Sequence, residues 1–237
     1  MSGHVEPGQS ARNRLLATLT GDEQGRLCGQ MQLVLLKDHQ VLHLSGEAIM
    51  FVYFPVTAIL SVVSVLADGA SAEVGLVGSE GMAGLPAFLG ATSEPFEVVV
   101  QVKGAAYRLP AQFIRDEAHH FDPFQDLLLR YTQAFMSQIA QGIACRGRHT
   151  VRQRLARWIL MLRDAGESDR IRVTHDFLGQ MMGVGRPTVS LAAESIRNDS
   201  LIGYNRGVIT ILDAPGLEGA SCECYRLVRD EYNRLLA

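Results

Sequence analysis

Side chains that can form hydrogen bonds are concentrated at residues 186–191. This segment does not contain the pairing of a nucleophile with a general base that is typical of a catalytic site. Arg186, Thr188 and Ser190 offer donors and acceptors, and Leu191 offers an apolar surface. At the start of a helix, such side chains can read base edges in the major groove of DNA, where arginine pairs with guanine and an apolar group contacts the thymine methyl. These four residues are therefore our candidate base-contacting positions.

Two predicted helices position these side chains. Thr174 can cap the first helix, whose apolar residues recur at helical spacing over Phe177–Met182. The glycines of Gly183-Val184-Gly185 end it, and a second helix begins with Arg186 as its cap and Pro187 as its first helical residue. Two short helices joined by a glycine-containing turn form a helix-turn-helix unit. An ordinary αα-hairpin has the same pattern and is the alternative.

A short β-hairpin is predicted directly after the second helix. β-rich runs at residues 201–204 and 208–212 flank an Asn205-Arg206-Gly207 turn. A helix-turn-helix followed by such a hairpin is a winged helix. The string from Thr174 through Arg186-Pro187-Thr188-Val189 to this hairpin resembles the DNA-binding domain of the cyclic-AMP receptor protein/FNR family.

The resemblance implies a DNA-binding transcription regulator with RNA polymerase as a further partner. Two recognition helices of a homodimer would enter successive major grooves, so the DNA site is expected to be an inverted repeat. Thr174 and Arg206 are expected to contact phosphates. The chain departs from the family at Pro187, where a glutamate is often found, and at Leu191, where arginine is common. Its half-site should therefore differ from the familiar family consensus.

Charge is distributed unevenly along the chain, whose formal net charge is −3. Residues 1–144 hold 8 Lys and Arg against 14 Asp and Glu, whereas residues 145–237 hold 14 arginines against 11 acids. An arginine cluster beside a winged helix is the electrostatic pattern expected for phosphate contacts. A solvated helix face paired with acids is the alternative for any single arginine. The cluster comprises Arg146, Arg148, Arg152, Arg154 and Arg157.

Short apolar runs between residues 31 and 109 predict a jelly-roll-like β domain, because Gly, Pro, Asp or Ser separates them at β-strand spacing. The region resembles the cyclic-nucleotide-binding β-roll of the same family, most plainly at Val52-Tyr53-Phe54-Pro55 and in the glycine-rich loop after Glu73. Glycines in such a loop allow close approach of the backbone to a ligand. The effector-pocket candidates are Gly78, Glu80, Gly81, Met82 and Gly84.

Two departures from the family argue against cyclic AMP as the effector. Relatives that bind a cyclic nucleotide carry a glutamate for the ribose hydroxyl, where this chain has Gly84. The segment in which an arginine would pair with the cyclic phosphate, residues 92–96, holds no cation and contains Glu94. We expect an unidentified small-molecule effector or none, and a true cyclic-nucleotide sensor is the alternative.

A long helix is predicted for residues 122–148, between the β-roll and the DNA-binding domain. Its apolar residues follow a spacing close to a heptad repeat, and the family's long central helix dimerises. A core helix packed on the β-roll has the same pattern and is the alternative. The predicted dimer interface comprises Phe124, Leu128, Tyr131, Phe135, Ile139 and Gly142.

The four cysteines, Cys28, Cys145, Cys222 and Cys224, lack the usual zinc spacing because none forms a C-x-x-C pair. A lone N-terminal cysteine does not match the iron–sulfur ligand set of FNR-like relatives. We therefore expect free thiols, no metal and no cofactor, and a redox role for Cys222 and Cys224 is the alternative. Enzyme motifs are also lacking, so a β-roll enzyme or metal-binding protein is a remote alternative.

Together these patterns predict an α+β chain with an N-terminal β-roll, a long dimerisation helix and a C-terminal winged helix-turn-helix. No apolar run reaches the roughly 18–20 residues of a membrane span, and the N-terminus lacks a signal-peptide core, so we expect a cytoplasmic protein without a membrane partner. The expected divisions are 1–30, an N-terminal helical segment; 31–121, the β-roll; 122–148, the dimerisation helix; 149–216, the DNA-binding domain; and 217–237, a final helix.

Overall fold

The structure is a computed structural model that describes residues 3–4, 12–117 and 123–236. The chain divides into two compact units. Unit 1 comprises Met1–Val62, Leu76–Phe135 and Tyr232–Ala237, and unit 2 comprises Val63–Gly75 and Met136–Glu231.

The described residues contain ten α-helices and eleven β-strands. The helices are α1 Arg14–Ala17, α2 Gly21–Cys28, α3 Leu85–Phe88, α4 Ala111–Glu117, α5 Pro123–Arg148, α6 Val151–Gly166, α7 His175–Met182, α8 Arg186–Asn198, α9 Ala214–Ala220 and α10 Cys224–Leu236. The strands are β1 Gly3–His4, β2 Gln32–Leu36, β3 Val41–His43, β4 Phe51–Pro55, β5 Ile59–Val65, β6 Ser71–Val77, β7 Glu97–Val102, β8 Gly104–Pro110, β9 Arg170–Arg172, β10 Ile202–Asn205 and β11 Val208–Ile211.

The predicted β domain is confirmed, because each of the predicted apolar runs between residues 31 and 109 forms a strand, β2 to β8. One sheet has the order β1-β2-β8-β4 and the other β3-β7-β5-β6. In the first sheet β8 pairs antiparallel with both β2 and β4, so that Tyr107 lies opposite Leu33 on one side and Phe54 on the other. Tyr107 and Phe54 are fully buried and contribute to the core of unit 1.

The predicted N-terminal helical segment consists of two helices, α1 and α2, separated by residues 18–20. Thr20 and Glu23 form a capping box at the start of α2, in which the Thr20 N–H donates to Glu23 Oε2 at 2.8 Å. The predicted long helix is also present as α5, which begins at Pro123, whereas Asp122 lies outside the described residues.

The C-terminal half differs from the sequence-based expectations in two places. A third wing strand, β9, which the sequence analysis missed, pairs with β11 and makes the wing a three-stranded sheet of order β10-β11-β9. The expected single final helix is two helices, α9 and α10, because Ser221 adopts an extended conformation between them. The Ser221 hydroxyl donates to the Glu218 carbonyl oxygen at 2.7 Å and so satisfies an acceptor at the end of α9.

No helix among the described residues is long and apolar enough to cross a membrane.

Candidate nucleic-acid interface

The two predicted helices of the helix-turn-helix unit are present as α7 and α8. Thr174 caps α7, where its Oγ1 accepts the Phe177 N–H at 3.3 Å, and Gly183 ends the helix in the left-handed conformation with φ 64°. The predicted start of α8 is wrong by one residue, since Gly185 is the cap and Arg186 is already helical. Pro187 is tolerated beside it because N–H groups of the first turn have no partner within the helix.

A glycine brings the two helices together. A Cβ atom on Gly179 would lie 2.8 Å from the Val184 carbonyl oxygen and 3.3 Å from the Arg186 nitrogen. The Val184 N–H in turn donates to the Gly179 carbonyl oxygen at 2.9 Å. The turn therefore packs directly on α7, and this fixes the direction in which α8 begins.

The outer face of α8 carries three of the four predicted base-contacting residues. The side chain of Arg186 is 65% exposed, Leu191 is 68% exposed, and Thr188 is exposed. Glu194, which the sequence analysis missed, is also exposed and lies three residues after Leu191 on the same face. Extending the helical spacing one turn beyond Leu191 would have identified it.

The fourth residue, Ser190, does not lie on this outer face. It is half-buried, and its hydroxyl lies 2.9 Å from Nδ1 of His175 at the start of α7. The His175 ring stacks on Tyr204 of the wing, with ring centroids 4.4 Å apart. Ser190 thus connects α8 to α7 and, through His175, to the wing, and its role as a base-contacting residue stays a prediction.

Arg186 has an ion-pair partner that it can exchange for a ligand. Its Nη1 lies 3.3 Å from Oδ2 of Asp176, and both side chains are about two-thirds exposed. An exposed pair of this kind contributes little stability. The pair therefore holds the guanidinium near the start of α8, and breaking the pair to bind a ligand costs little free energy.

The wing turn carries Arg206 in a strained conformation. Arg206 and Gly207 both have positive φ, 47° and 77°, as a two-residue type I′ hairpin turn requires. The Val173 N–H donates to the Gly207 carbonyl oxygen at 2.8 Å, which brings the turn beside Thr174. Arg172, a further exposed cation that the sequence analysis missed, pairs with Val208 in the same sheet.

Part of the arginine cluster has a role within unit 2 instead of facing outward. Arg152 Nε donates to Ser195 Oγ at 3.1 Å, and the same guanidinium forms an ion pair with Asp199. Arg154 donates to the Met182 carbonyl oxygen at 2.6 Å, at the C-terminus of α7. These two arginines connect α6 to α7 and α8, and the Arg152–Asp199 pair agrees with the alternative of a helix face paired with acids.

The predicted dimer interface on α5 is wrong for most of its residues. Phe124, Leu128, Tyr131 and Phe135 are buried within unit 1, so a second chain cannot contact them. Their spacing arises because they pack on the core of their own unit. Ile139 and Gly142 are only half-buried.

The glycine-rich loop of unit 1 is filled by neighbouring side chains of the same unit. A Cβ atom on Gly81 would lie 2.6 Å from the Tyr131 hydroxyl, which donates to the Met82 carbonyl oxygen at 2.9 Å. Glu80 accepts the Gly78 N–H at 3.0 Å. Four of the five predicted pocket residues therefore make or border contacts internal to unit 1.

The fifth residue, Gly84, lies beside the buried side chain of His43, which contacts the buried carboxylate of Glu94. A Cβ atom on Gly84 would lie 3.1 Å from Cε1 of His43, whose Nδ1 is 3.4 Å from Oε2 of Glu94. His43 Nε2 donates to the Phe51 carbonyl oxygen at 2.8 Å. Gly84 and Glu94, the two departures from the family's cyclic-nucleotide site, are thus brought together at His43.

Part of unit 2 matches a known domain family. Residues 153–220 match the Crp-like helix-turn-helix domain family. No curated protein matches the chain by sequence.

Solved structures share the fold of the chain. TTHB099, a CRP-family transcriptional regulator from Thermus thermophilus, is 19% identical with a TM-score of 0.66, covering 81% of this chain and 99% of its own. FixK2 from Bradyrhizobium japonicum is 15% identical with a TM-score of 0.69, covering 81% and 98%. The c-di-GMP-responsive regulator CLP from Xanthomonas campestris is 12% identical with a TM-score of 0.63, covering 81% and 99%.

We expect acidification to destabilise unit 2 through His175. Burial and the positive charge of Arg186 lower the pKa of His175, and Asp176 opposes them only in part. Below the ordinary histidine pKa of about 6.5, the unfolded chain therefore binds this proton more readily than the folded chain, and the free energy of unfolding falls. Thermal unfolding followed by the fluorescence of Trp158, the single tryptophan, should show a midpoint that falls as the pH decreases through this range.

In His175→Asn the unfolding midpoint should fall less as the pH decreases, because the amide can retain the hydrogen bond to Ser190 but does not titrate. His39→Asn is the matched control in unit 1. His39 has φ 62°, a conformation that asparagine tolerates, and its replacement should leave the fluorescence transition unchanged. Equal pH dependence in the wild type and in His175→Asn would contradict the role of His175.

Proposed function

We propose that this chain, which carries a Crp-like helix-turn-helix domain and has the fold of the CRP/FNR transcription regulators, binds double-stranded DNA sequence-specifically and regulates transcription. The observation that carries the proposal is the exposed outer face of α8. That face begins with Arg186 and is held in a fixed direction by the packing of the turn at Gly179.

Base recognition is assigned to Arg186, Thr188 and Leu191. Arginine can donate two parallel hydrogen bonds to guanine, a contact worth roughly 1–3 kcal/mol of discrimination, and leucine contacts the thymine methyl. Glu194 extends the same face and can accept a hydrogen bond from the cytosine amino group. Relatives often have a glutamate at the position of Pro187. The half-site preferred by this chain should therefore differ from the half-site of those relatives.

Phosphate contacts are assigned to the region where the wing turn approaches the N-terminus of α7. Arg206, in the turn between β10 and β11, and Arg172, on β9, are exposed cations. Thr174 caps the N-terminus of α7, where the helix dipole favours an anion. These groups position the protein on the duplex but do not distinguish bases.

A homodimer on an inverted repeat is supported by an exposed apolar stripe on α5. Leu129, Met136 and Ile143 are 50%, 64% and 69% exposed and lie seven residues apart, so they share one helix face. Gly142 adjoins the stripe, and a Cβ atom there would meet nothing within 4 Å. The proposed occupant is the same stripe of a second copy, which would place two α8 helices on half-sites about one DNA turn apart.

An effector other than cyclic AMP, acting on unit 1, completes the proposal. The support is the filling of the glycine-rich loop by Tyr131 and the buried His43–Glu94 pair, which lies where a cyclic phosphate would need a cation. RNA polymerase is the proposed partner, because contact with it would couple DNA binding to a change in transcription.

Two substitutions separate base reading from phosphate binding. Arg186→Ala should relax base preference at one position of each half-site. Arg206→Asn removes the cation but keeps a residue that tolerates positive φ, so it should weaken binding to all sequences and lower the salt slope by about one. Selection from random duplexes followed by affinity measurements over a salt series would measure both effects. Equal, sequence-independent losses from the two variants would contradict this assignment.

A charge placed in the exposed stripe should prevent dimerisation. Met136→Glu would set like charges against each other across a symmetric interface, so light scattering should give the mass of one chain for the variant and of two for the wild type. Leu35→Glu, at a site on β2 that is 82% exposed, is the matched control and should remain dimeric. A dimeric Met136→Glu variant would exclude this stripe as the interface.

Cyclic nucleotides should not bind to unit 1. Titration calorimetry of the wild-type chain with cyclic AMP and with cyclic GMP should show no saturable heat, since residues 92–96 contain no arginine to pair with the cyclic phosphate. Saturable binding of either nucleotide at micromolar strength would instead identify a true cyclic-nucleotide sensor.

A further inference from the structure

Three cysteines and a histidine of unit 2 meet at one buried point. Cys145, Cys222 and Cys224 are buried together, and one ligand atom from each of them and from His149 lies within 4.8 Å of the other three. All four cysteines of the chain are free thiols in this structure. Cys28, the fourth of them, lies in unit 1 and does not belong to this cluster.

The spacing of these atoms is close to that of ligands around one tetrahedral ion. Cys145 Sγ lies 3.5 Å from Cys222 Sγ, and Cys224 Sγ lies 3.5 Å from His149 Nδ1. With bond lengths of about 2.3 Å to sulfur and 2.0 Å to nitrogen, tetrahedral zinc separates its ligand atoms by about 3.5–3.8 Å. All other pairs among the four atoms lie within 4.8 Å, so shifts of no more than about an ångström would complete a Cys₃His coordination shell.

Groups around the cluster orient its members in the manner of a metal site. His149 directs Nδ1 at the thiols, while its Nε2 lies 3.2 Å from a carboxylate oxygen of Glu223. Histidine ligands of metals commonly pair their second nitrogen with a carboxylate, which fixes the tautomer and the ring orientation. Gln141 Nε2 donates to Cys224 Sγ at 3.0 Å, and a hydrogen bond of this kind stabilises a thiolate.

Three separate elements supply the ligands. Cys145 lies in the last turn of α5, and His149 follows that helix within one turn. The Ser221–Glu223 link between α9 and α10 supplies Cys222, and Cys224 is the first residue of α10. No local motif contains all four, which is why the spacing of the cysteines predicts free thiols. The proximity of the two segments is a property of the folded unit.

We propose that Cys145, His149, Cys222 and Cys224 bind one zinc ion that fastens the C-terminal end of α5 to the start of α10. Three thiolates and one imidazole form a soft, closed ligand set that suits Zn²⁺ and leaves no position for a substrate, so the ion is structural. An iron–sulfur cluster fits less well, because its inorganic core would hold the ligand atoms farther apart.

Metal content tests the proposal directly. The full-length chain, produced reduced and dialysed against Zn²⁺, should retain one zinc per chain by elemental analysis. Co²⁺ should replace it and give the sulfur-to-metal charge-transfer and d–d absorption bands of a tetrahedral thiolate site. Cys222→Ser and His149→Ala should lose stoichiometric metal, whereas Cys28→Ser, the matched control, should retain it.

Two further measurements separate a metal site from a site of thiol chemistry. Gln141→Ala leaves all four ligands in place and should weaken zinc binding by about 10- to 100-fold, as removal of an outer-shell partner typically does. A chelator should lower the midpoint of the Trp158 fluorescence transition in the wild type but not in Cys222→Ser, because metal binding is linked to folding.

Several outcomes would overturn the proposal. Zinc that is absent from the wild type, or that is retained equally in Cys222→Ser and His149→Ala, would exclude this site. A Cys145–Cys222 disulfide that forms in air in the presence of Zn²⁺ would identify the cluster as a redox pair. Octahedral Co²⁺ spectra would indicate adventitious surface binding.

Discussion

The absence of a side chain at Gly179 is the constraint on which the interface of unit 2 depends. With hydrogen alone at this position, the Val184 carbonyl and the Arg186 backbone approach α7 more closely than a Cβ atom would allow. That approach sets the angle at which α8 leaves the turn, and therefore which of its residues are exposed. Exposure of Arg186, Thr188 and Leu191 follows from this crossing, as does the inward position of Ser190.

The arginines of unit 2 divide between two tasks that a charge count does not separate. Arg152 and Arg154 neutralise groups at the C-termini of α8 and α7, where the helix dipole is negative, and so hold the two helices against α6. Arg186 and Arg206 remain exposed at the ends of the elements that would meet DNA. Internal cations thus stabilise the scaffold, and the outer cations are available to an anionic partner.

Helix α5 is apolar on more than one face, and this explains the error in the predicted interface. One stripe, from Phe124 to Phe135, packs on the core of unit 1. A second stripe at Leu129, Met136 and Ile143 is exposed, and the end of the helix places Cys145 in the thiol cluster. A single helix therefore contributes to a core, to the proposed dimer contact and to the proposed metal site.

The sequence by itself determined the elements and their order. Turn residues such as Gly183 and Asn205-Arg206-Gly207, the cap at Thr174 and the apolar runs of the β-roll each act within a few residues, so local patterns predicted α7, α8, the wing hairpin and strands β2–β8. The tertiary structure alone decided which side chains face outward and which distant residues meet. Burial of Phe124 and Tyr131, the inward turn of Ser190, and the meeting of Cys145 with Cys222 depend on contacts between segments far apart in the chain. Helical periodicity does not determine which of two apolar faces is buried, and cysteine spacing along the chain does not measure distance in space. The buried face and the distances between cysteines are both determined by tertiary packing.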